Sequence, residues 1–160
     1  MKGYVQKLVL YGYKKEGSMK FNVKNKDLSS LLQIIDKLSI TSMRVNRGKA
    51  KVYSAVSNKL QEYRSDEEDI LKENVVIDDS GQLARQEDGN FILKEGVNVV
   101  DVNQQLLELQ EETITISSGD YTNRFTDFFN WLLGCEEVFT TQDVILIDNL
   151  LDQFEEQKGE

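Results

Sequence analysis

The sequence predicts an α+β fold that is predominantly helical, with about five helices and a small antiparallel sheet or hairpin. Apolar residues recur every three or four positions through most of the chain, and only a few short runs alternate or are rich in β-branched residues. The chain also has no proline, so its turns must use Gly, Asn, Asp and Ser. This composition favours a compact domain without a stiff linker.

The longest predicted element is a single helix from about Met43 to Asn74. At 1.5 Å per residue this helix would be about 45 Å long, so shorter elements are expected to pack along it. Gly48 is the only residue inside it that interrupts the pattern. The apolar or small positions that define its buried face are Val45, Gly48, Val52, Val56, Leu60, Tyr63 and Ile70 or Leu71.

The segment before this helix is expected to contain a short strand or extended lead-in and one helix. Lys20 to Val23 forms the extended part, and Asn25 is expected to cap a leucine-rich helix that ends near Leu38. Thr41 or Ser42 is expected to cap the long helix, because their side-chain oxygens can accept a free N–H group of its first turn.

After the long helix, Val75 to Leu93 contains a β-branched run and two turns rich in Asp and Gly, which predicts a small β-meander or hairpin. A helix follows from about Val102 to Glu112. The strict alternation of Thr113 to Ser117 predicts a strand with one buried face, and we expect this strand to complete the sheet of Val75 to Leu93. Two helices close the chain, Tyr121 to Leu133 and one that begins after Thr140.

The 160 residues are expected to form one globular domain over 19–160, preceded by an N-terminal extension or added strand over 1–18. Tyr4 to Tyr13 has the composition of a strand that would dock on the predicted hairpin. In the alternative, Lys15 to Gly17 are residues whose codons can spell the purine-rich ribosome-binding sequence of a bacterial gene. Met19 would then be the natural first residue.

The sequence lacks the residue types on which most catalytic and metal sites depend. There is no histidine and only one cysteine, Cys135, which removes Ser-His and Cys-His pairs and structural zinc sites. The glycines are scattered singly and form no phosphate-binding loop, and the acidic turns lack EF-hand spacing. We therefore expect no catalytic residue, no cofactor and no metal, with an all-carboxylate magnesium site at Asp69 and Glu73 left open.

The charge of the chain is unevenly distributed. The net charge is −9, but residues 1–51 hold 12 basic and 3 acidic side chains, whereas residues 52–160 hold 7 and 25. The long helix has a basic start and an acidic end, which opposes its macrodipole. Either the basic start pairs with acids elsewhere in the chain or is solvated, or it is a partner surface.

These patterns suggest candidate partner-binding residues at positions expected to be exposed. The basic start of the long helix could contact nucleic acid, but the acidic remainder of the chain would repel a duplex, so we expect a protein partner instead. The cluster Tyr121 to Trp131 is expected to be mainly core, with its tryptophan partly exposed because tryptophan is enriched in binding hot spots. The candidates are Arg44, Arg47, Lys49, Lys51, Asp66, Glu67, Glu68, Asp69 and Trp131.

No run approaches the roughly eighteen consecutive apolar residues of a membrane span, and the start lacks the pattern of a signal peptide. We therefore expect no membrane association and a cytosolic location. The oligomeric state stays open.

Six features occur in a fixed order: the run KFNVKNKDL from Lys20 to Leu28, a leucine-rich helix, a basic helix start at Arg47 to Lys51, an acidic helix end, an Asp-x-Gly turn, and a closing acidic strand-helix-helix segment. In this order they resemble a small family of uncharacterised proteins encoded by phages and prophages of Lactococcus and related Gram-positive bacteria. The resemblance covers Met19 to about Gln157 and carries no catalytic residues.

The resemblance implies a phage origin, expression in the host bacterial cytoplasm, and a role in virion assembly, host takeover or counter-defence. We therefore expect a non-enzymatic protein-binding protein whose partner is a phage or host protein. Three alternatives stay open: an acidic counter-defence inhibitor that mimics nucleic acid, a nucleic-acid-binding module that uses the basic helix start, and a carboxylate-metal enzyme.

The N-terminal alternatives differ in a measurable way. If Met19 is the natural start, a chain that begins at Met19 is expected to melt close to the temperature of the full chain. A loss above about 10 °C, equivalent to more than about 2 kcal/mol for a domain of this size, would show instead that residues Tyr4 to Tyr13 are an integral strand. Thermal unfolding followed by circular dichroism measures the difference.

Overall fold

The computed structural model describes residues 17–159, in which five helices and one two-stranded sheet are present. The predicted α+β, predominantly helical class and the long helix are confirmed. The N-terminal extension, with the strand predicted at Tyr4 to Tyr13, lies outside the described residues. The strands are β1 (Lys20–Lys24) and β2 (Thr113–Ser117), and the helices are α1 (Leu28–Lys37), α2 (Met43–Asn74), α3 (Val99–Glu111), α4 (Thr122–Leu133) and α5 (Thr141–Lys158).

Helix α2 is the element along which α1, α3 and α4 are arranged. It begins as predicted, because Ser42 Oγ accepts a hydrogen bond from the Val45 N–H at 3.4 Å. Its buried residues are Gly48, Val52, Val56 and Leu60, and none lies beyond Leu60. The first half of α2 therefore belongs to the core, whereas the second half is largely solvent-exposed.

Helices α2 and α4 are in close contact at Gly48. A Cβ atom at this position would collide with the carbonyl oxygen of Arg124 and lie 3.2 Å from Phe128 Cβ. Only a residue without a side chain leaves room for the α4 backbone here, so Gly48 sets the distance between the two helices.

The main core is built around phenylalanines. The ring of Phe129 in α4 lies 4.5 Å from that of Phe21 in β1 and 5.4 Å from that of Phe154 in α5, measured between centroids. The ring of Phe128 meets Phe129 edge to face at 5.3 Å. One helix thus joins the sheet to the last helix, and the expectation that this aromatic cluster is mainly core is confirmed.

The sheet differs from the predicted one in its strand pairing. Strand β2 pairs antiparallel with β1, with Phe21 opposite Ile116 and Val23 opposite Ile114. The prediction that β2 would pair with Val75 to Leu93 is wrong, because that segment satisfies its own backbone groups internally. The inward faces of β1 and β2 are both apolar and pack on the same core.

The outer edge of β1 is covered by two glutamine side chains of α5. Gln157 accepts from the Lys20 N–H at 2.9 Å and donates to the Lys20 carbonyl at 2.8 Å. Gln153 makes the same pair of bonds with Asn22, at 2.8 and 3.0 Å. Each amide side chain thus replaces one peptide group of a neighbouring strand, and the pair is called the glutamine ladder below.

Asn25 does not cap α1, so that prediction is wrong. It is buried in a 3₁₀ turn, where its side-chain Nδ2 donates to the Leu109 carbonyl at 2.9 Å and its backbone N–H donates to the Glu112 carbonyl at 3.0 Å. The side chain is therefore used to attach the end of α3 to the chain that precedes α1.

Residues 75–94 form a small closed motif that we call the β-triangle. The Val76 N–H donates to the Ile92 carbonyl at 2.8 Å, the Ile92 N–H to the Ala84 carbonyl at 3.0 Å, and the Ala84 N–H to the Val76 carbonyl at 2.8 Å. Each segment therefore pairs with both others, whereas a meander would leave the first and third unpaired. Three further backbone bonds link the same three segments, with Asp78, Gln86 and Lys94 as the N–H donors to the carbonyls of Gln82, Asn90 and Asn74 in that order.

The β-triangle corresponds to an eight-residue repeat in the sequence: VVIDDSGQ, LARQEDGN and FILKEGVN over residues 75–98. Gly81, Gly89 and Gly96 stand near the end of the successive repeats with φ angles of 83°, 87° and 81°. Such angles strain residues that carry a Cβ atom, so glycine makes each of the three corners.

Replacing Gly48 by alanine tests the close approach of α2 and α4. Alanine favours a helix by about 1 kcal/mol over glycine, so the helix alone would gain stability. We expect a net loss of about 1–3 kcal/mol in the free energy of unfolding, because α4 must move away from the new methyl group. Urea denaturation of Gly48→Ala measures it, and Ser54→Ala on the exposed face of α2 should stay within about 0.5 kcal/mol of the parent.

Candidate interaction surfaces

Three of the four basic residues at the start of α2 have partners within the described residues. Arg44 Nη2 donates to Asp127 Oδ1 in α4 at 2.6 Å, and this guanidinium lowers the pKa of Asp127. Lys51 Nζ lies 3.9 Å from the ring centroid of Tyr121. Both contacts connect α2 to α4 or to the turn before it.

Lys49 has a different kind of partner. Its ammonium donates to the carbonyl oxygens of Asp36 and Leu38 at 3.3 and 3.0 Å, at the C-terminal end of α1. A cation is stabilised there by the free carbonyls and the negative end of the helix dipole. The positive charge of Lys49 therefore opposes the dipole of α2 but complements the dipole of α1. Among residues 17–159, Arg47 is exposed and makes no ion pair or side-chain hydrogen bond.

The acidic run of α2 is mostly solvent-exposed. Glu68 pairs with Lys72 at 2.8 Å one turn later, and both side chains are more than half exposed, so the pair contributes little. Burial raises the pKa of Tyr63, and Glu67 adds to that shift. Within the described residues, no three carboxylate or cysteine side chains converge as a metal site would require. Asp66 and Asp69 make no ion pair in that region.

Trp131 is half-buried and packs against the main core. Its ring therefore contributes to stability, and an alanine there would disturb the fold as well as any contact with a partner. The helices described between residues 17 and 159 include none that is long and apolar enough to span a membrane.

The boundaries of the structural elements show that the excess of negative charge is concentrated in one segment of the chain. Residues 61–112, which run from the last buried turn of α2 to the end of α3, hold 15 acidic and 4 basic side chains, a net charge of −11. The remaining residues hold 13 acidic and 15 basic side chains, a net charge of +2. We call residues 61–112 the acidic segment. It contributes no buried residue to the main hydrophobic cluster.

The acidic segment also exposes large apolar side chains. Its buried hydrophobic residues are Val75, Val102 and Leu109. On α3, however, Val100 is 67% exposed and Leu107 is 51% exposed. The sequence predicted this helix without separating a buried from an exposed set among its apolar residues, which include Val100 and Leu107. The missed signal was their phase, because residues seven apart share one helix face and this pair is out of phase with Val102 and Leu109.

Glu111 holds the end of the acidic segment against the rest of the domain. Its carboxylate accepts from Lys24 Nζ at 2.8 Å and from Lys26 Nζ at 2.6 Å. Hydrogen bonds from these two ammonium groups lower the pKa of Glu111 to about 2. Together with Asn25, the pair of lysines attaches α3 to β1 and the turn that follows it.

Comparison with known proteins adds a family without an assigned activity. A family model described as "Protein of unknown function (DUF1617)" matches residues 19–160. The match covers the globular domain expected from the sequence and leaves residues 1–18 outside. No curated protein and no solved structure matches the chain.

The Glu111 contacts predict a stability difference that depends on pH. A lowered carboxyl pKa stabilises the folded state above the pKa of the unfolded chain, and this contribution is lost as the pH falls through the folded pKa of about 2. Glu111→Gln is therefore expected to be less stable than the parent at neutral pH. The difference should shrink as the pH falls below about 4, when urea unfolding is repeated across the range.

The neighbouring Glu112→Gln change is the matched control. It also removes one exposed carboxylate, but Glu112 makes no ion pair among the described residues. The stability difference between Glu112→Gln and the parent should not shrink as the pH falls below about 4. Equal pH profiles for the two variants would contradict a specific role of Lys24 and Lys26.

Proposed function

The chain belongs to the DUF1617 family, and we propose that it is a phage-encoded, non-enzymatic protein-binding protein that acts in the host bacterial cytoplasm. The observation that carries this proposal is the acidic segment, which combines a net charge of −11 with exposed apolar side chains on α3. An exposed apolar patch rimmed by polar residues is typical of a surface that binds another protein. A phage or host protein is the partner, and virion assembly or host takeover is the setting.

The roles of the perturbed carboxylates support a non-enzymatic function. In the described residues, each carboxylate with a lowered pKa is held by an ion pair or by the hydrogen bonds of a turn. These contacts join secondary-structure elements or close turns, which is a structural use of charge. The carboxylates are Asp78, Glu111, Asp127 and Asp143.

A second candidate is an acidic counter-defence inhibitor that mimics nucleic acid. The concentration of net charge −11 in 52 consecutive residues favours it, because such a segment would compete with a duplex for a basic surface. The nucleic-acid-binding alternative receives less support, since Arg44, Lys49 and Lys51 are engaged within the chain. A role in assembly would depend more on apolar contacts than on charge.

Charge reversal separates these roles once a partner is isolated. We expect affinity purification of the full chain, from host cells that carry the encoding phage or prophage, to retrieve one phage or host protein in stoichiometric amount. Binding of the purified pair is then measured by calorimetry for the quadruple Asp66→Lys, Glu67→Lys, Glu68→Lys and Asp69→Lys variant. A nucleic-acid mimic should lose at least about tenfold in affinity, and added DNA should compete.

Arg47→Glu is the control for a change of charge, because Arg47 has no partner within residues 17–159 and its reversal should leave the fold unchanged. An assembly factor held by apolar contacts should tolerate the acidic reversal to within a fewfold change in affinity. Failure to retrieve any stoichiometric partner, both during virion production and in the uninduced host, would contradict the protein-binding role.

A further inference from the structure

We propose that the outer face of α3 is a docking surface for a basic, amphipathic helix of the protein partner. This inference rests on the proposed protein-binding function and specifies the partner of the acidic segment. It depends on the pattern of apolar residues on α3, on the polar residues between them, and on the charge around them.

Helix α3 carries two apolar stripes with different environments. Val102 and Leu109 are seven residues apart and buried. Val100 and Leu107 are also seven residues apart, but they lie about 160° away around the helix and are 67% and 51% exposed. The first stripe holds α3 to the protein, whereas both residues of the second are more than half exposed.

The residues between Val100 and Leu107 on this outer face are uncharged. Asn103 and Gln104 are exposed and lie one turn from both apolar residues. Gln104 is held by Glu108, whose Oε1 atom accepts from its Nε2 at 3.0 Å. Over two helical turns, the outer stripe thus consists of an apolar residue, two amide side chains and a second apolar residue. None of these four side chains carries a charge that a partner would have to desolvate.

The seven-residue spacing fits a helix as the occupant. Two helices that pack nearly parallel repeat their contacts every seven residues, so a partner helix can meet Val100 and Leu107 in successive heptads. The carboxylates of Asp101 and Glu108 each follow one residue of the stripe along the chain. They lie at its flank, where lysines or arginines beside an apolar seam would reach them.

The charge of the acidic segment determines which occupant is favoured. Two copies of this segment, each with a net charge of −11, would repel each other, and a nucleic acid or an anionic membrane surface would be repelled in the same way. A helix with basic flanks gains both electrostatic attraction and burial of the apolar stripe. The complementary partner is therefore a protein helix rich in Lys or Arg around an apolar seam.

A synthetic peptide provides a defined probe of this surface. It consists of three heptads with Leu at positions a and d and Lys and Ala elsewhere, and the control peptide has the same composition with the leucines scrambled. We expect the amphipathic peptide to bind the full chain one to one, at least about tenfold more tightly than the scrambled one. Fluorescence anisotropy measures both affinities, with the salt raised from about 50 to about 300 mM, over which the Debye length falls from about 14 to about 6 Å.

Variants show whether the peptide uses the outer face of α3. Leu107→Ser should weaken binding of the amphipathic peptide at least about tenfold without a change in melting temperature of more than a few degrees. Ile145→Ser in α5 is the matched control, since Ile145 is 60% exposed and lies outside the acidic segment, and it should bind as the parent does. Affinity for the amphipathic peptide should also fall as salt rises.

Four outcomes would overturn the docking surface. Equal affinity for both peptides would mean that charge alone attracts them, and equal affinity of Leu107→Ser and the parent would place the contact elsewhere. A dimer of the full chain that Leu107→Ser dissociates in sedimentation experiments would assign the stripe to a second copy. Retrieval of a partner whose binding tolerates Leu107→Ser would leave the protein-binding function in place while removing this surface.

Discussion

The close approach of α2 and α4 at Gly48 is the constraint on which the rest of the domain depends. Because the backbone of α4 reaches the surface of α2 there, the phenylalanines of α4 can fill the space between α2, the sheet and α5. Arg44 and Lys51 lie on the same side of α2 as Gly48, four residues before and three after it, and both contact the region of α4. Packing and charge contacts therefore act at the same interface between α2 and α4. These contacts explain why α2 carries basic residues near its N-terminus, where the helix dipole disfavours them.

Helical periodicity was sufficient to predict the helices, including the long α2, and capping residues predicted where α2 and α5 begin, although α3 begins at Val99 and not near Val102. These features depend on neighbours three or four positions away, which the sequence displays directly. The pairing of β1 with β2 joins segments about 93 residues apart, and alternation of apolar residues shows only that a strand has a buried face. Asn25 was misjudged for the same reason, because its partners lie in α3. The β-triangle had a local signal, the eight-residue repeat, that a search for secondary structure passed over.

The candidate surface was predicted less completely than the fold. Dividing the chain at residue 51 captured the excess of negative charge, but the structural boundaries concentrate that excess in residues 61–112. Three of the four basic residues at the start of α2 have partners within the chain. A charge count cannot show which side chains find partners within the chain. The outer stripe of α3 was overlooked because the apolar residues of that helix were not divided by phase into two faces. The phase of Val100 and Leu107 can be counted from the sequence, but their exposure is known only from the structure.

The glutamine ladder has a consequence for the order in which the protein folds during synthesis. Lys20 and Gln157 are separated by 137 residues, so β1 leaves the ribosome long before the helix that covers its edge. Until α5 emerges, a nascent chain that has already paired β1 with β2 exposes a row of peptide groups able to recruit a strand from another chain. The last turns of α5 thus protect the edge of β1 against association with other chains, and ribosome stalling before Gln153 would remove this protection.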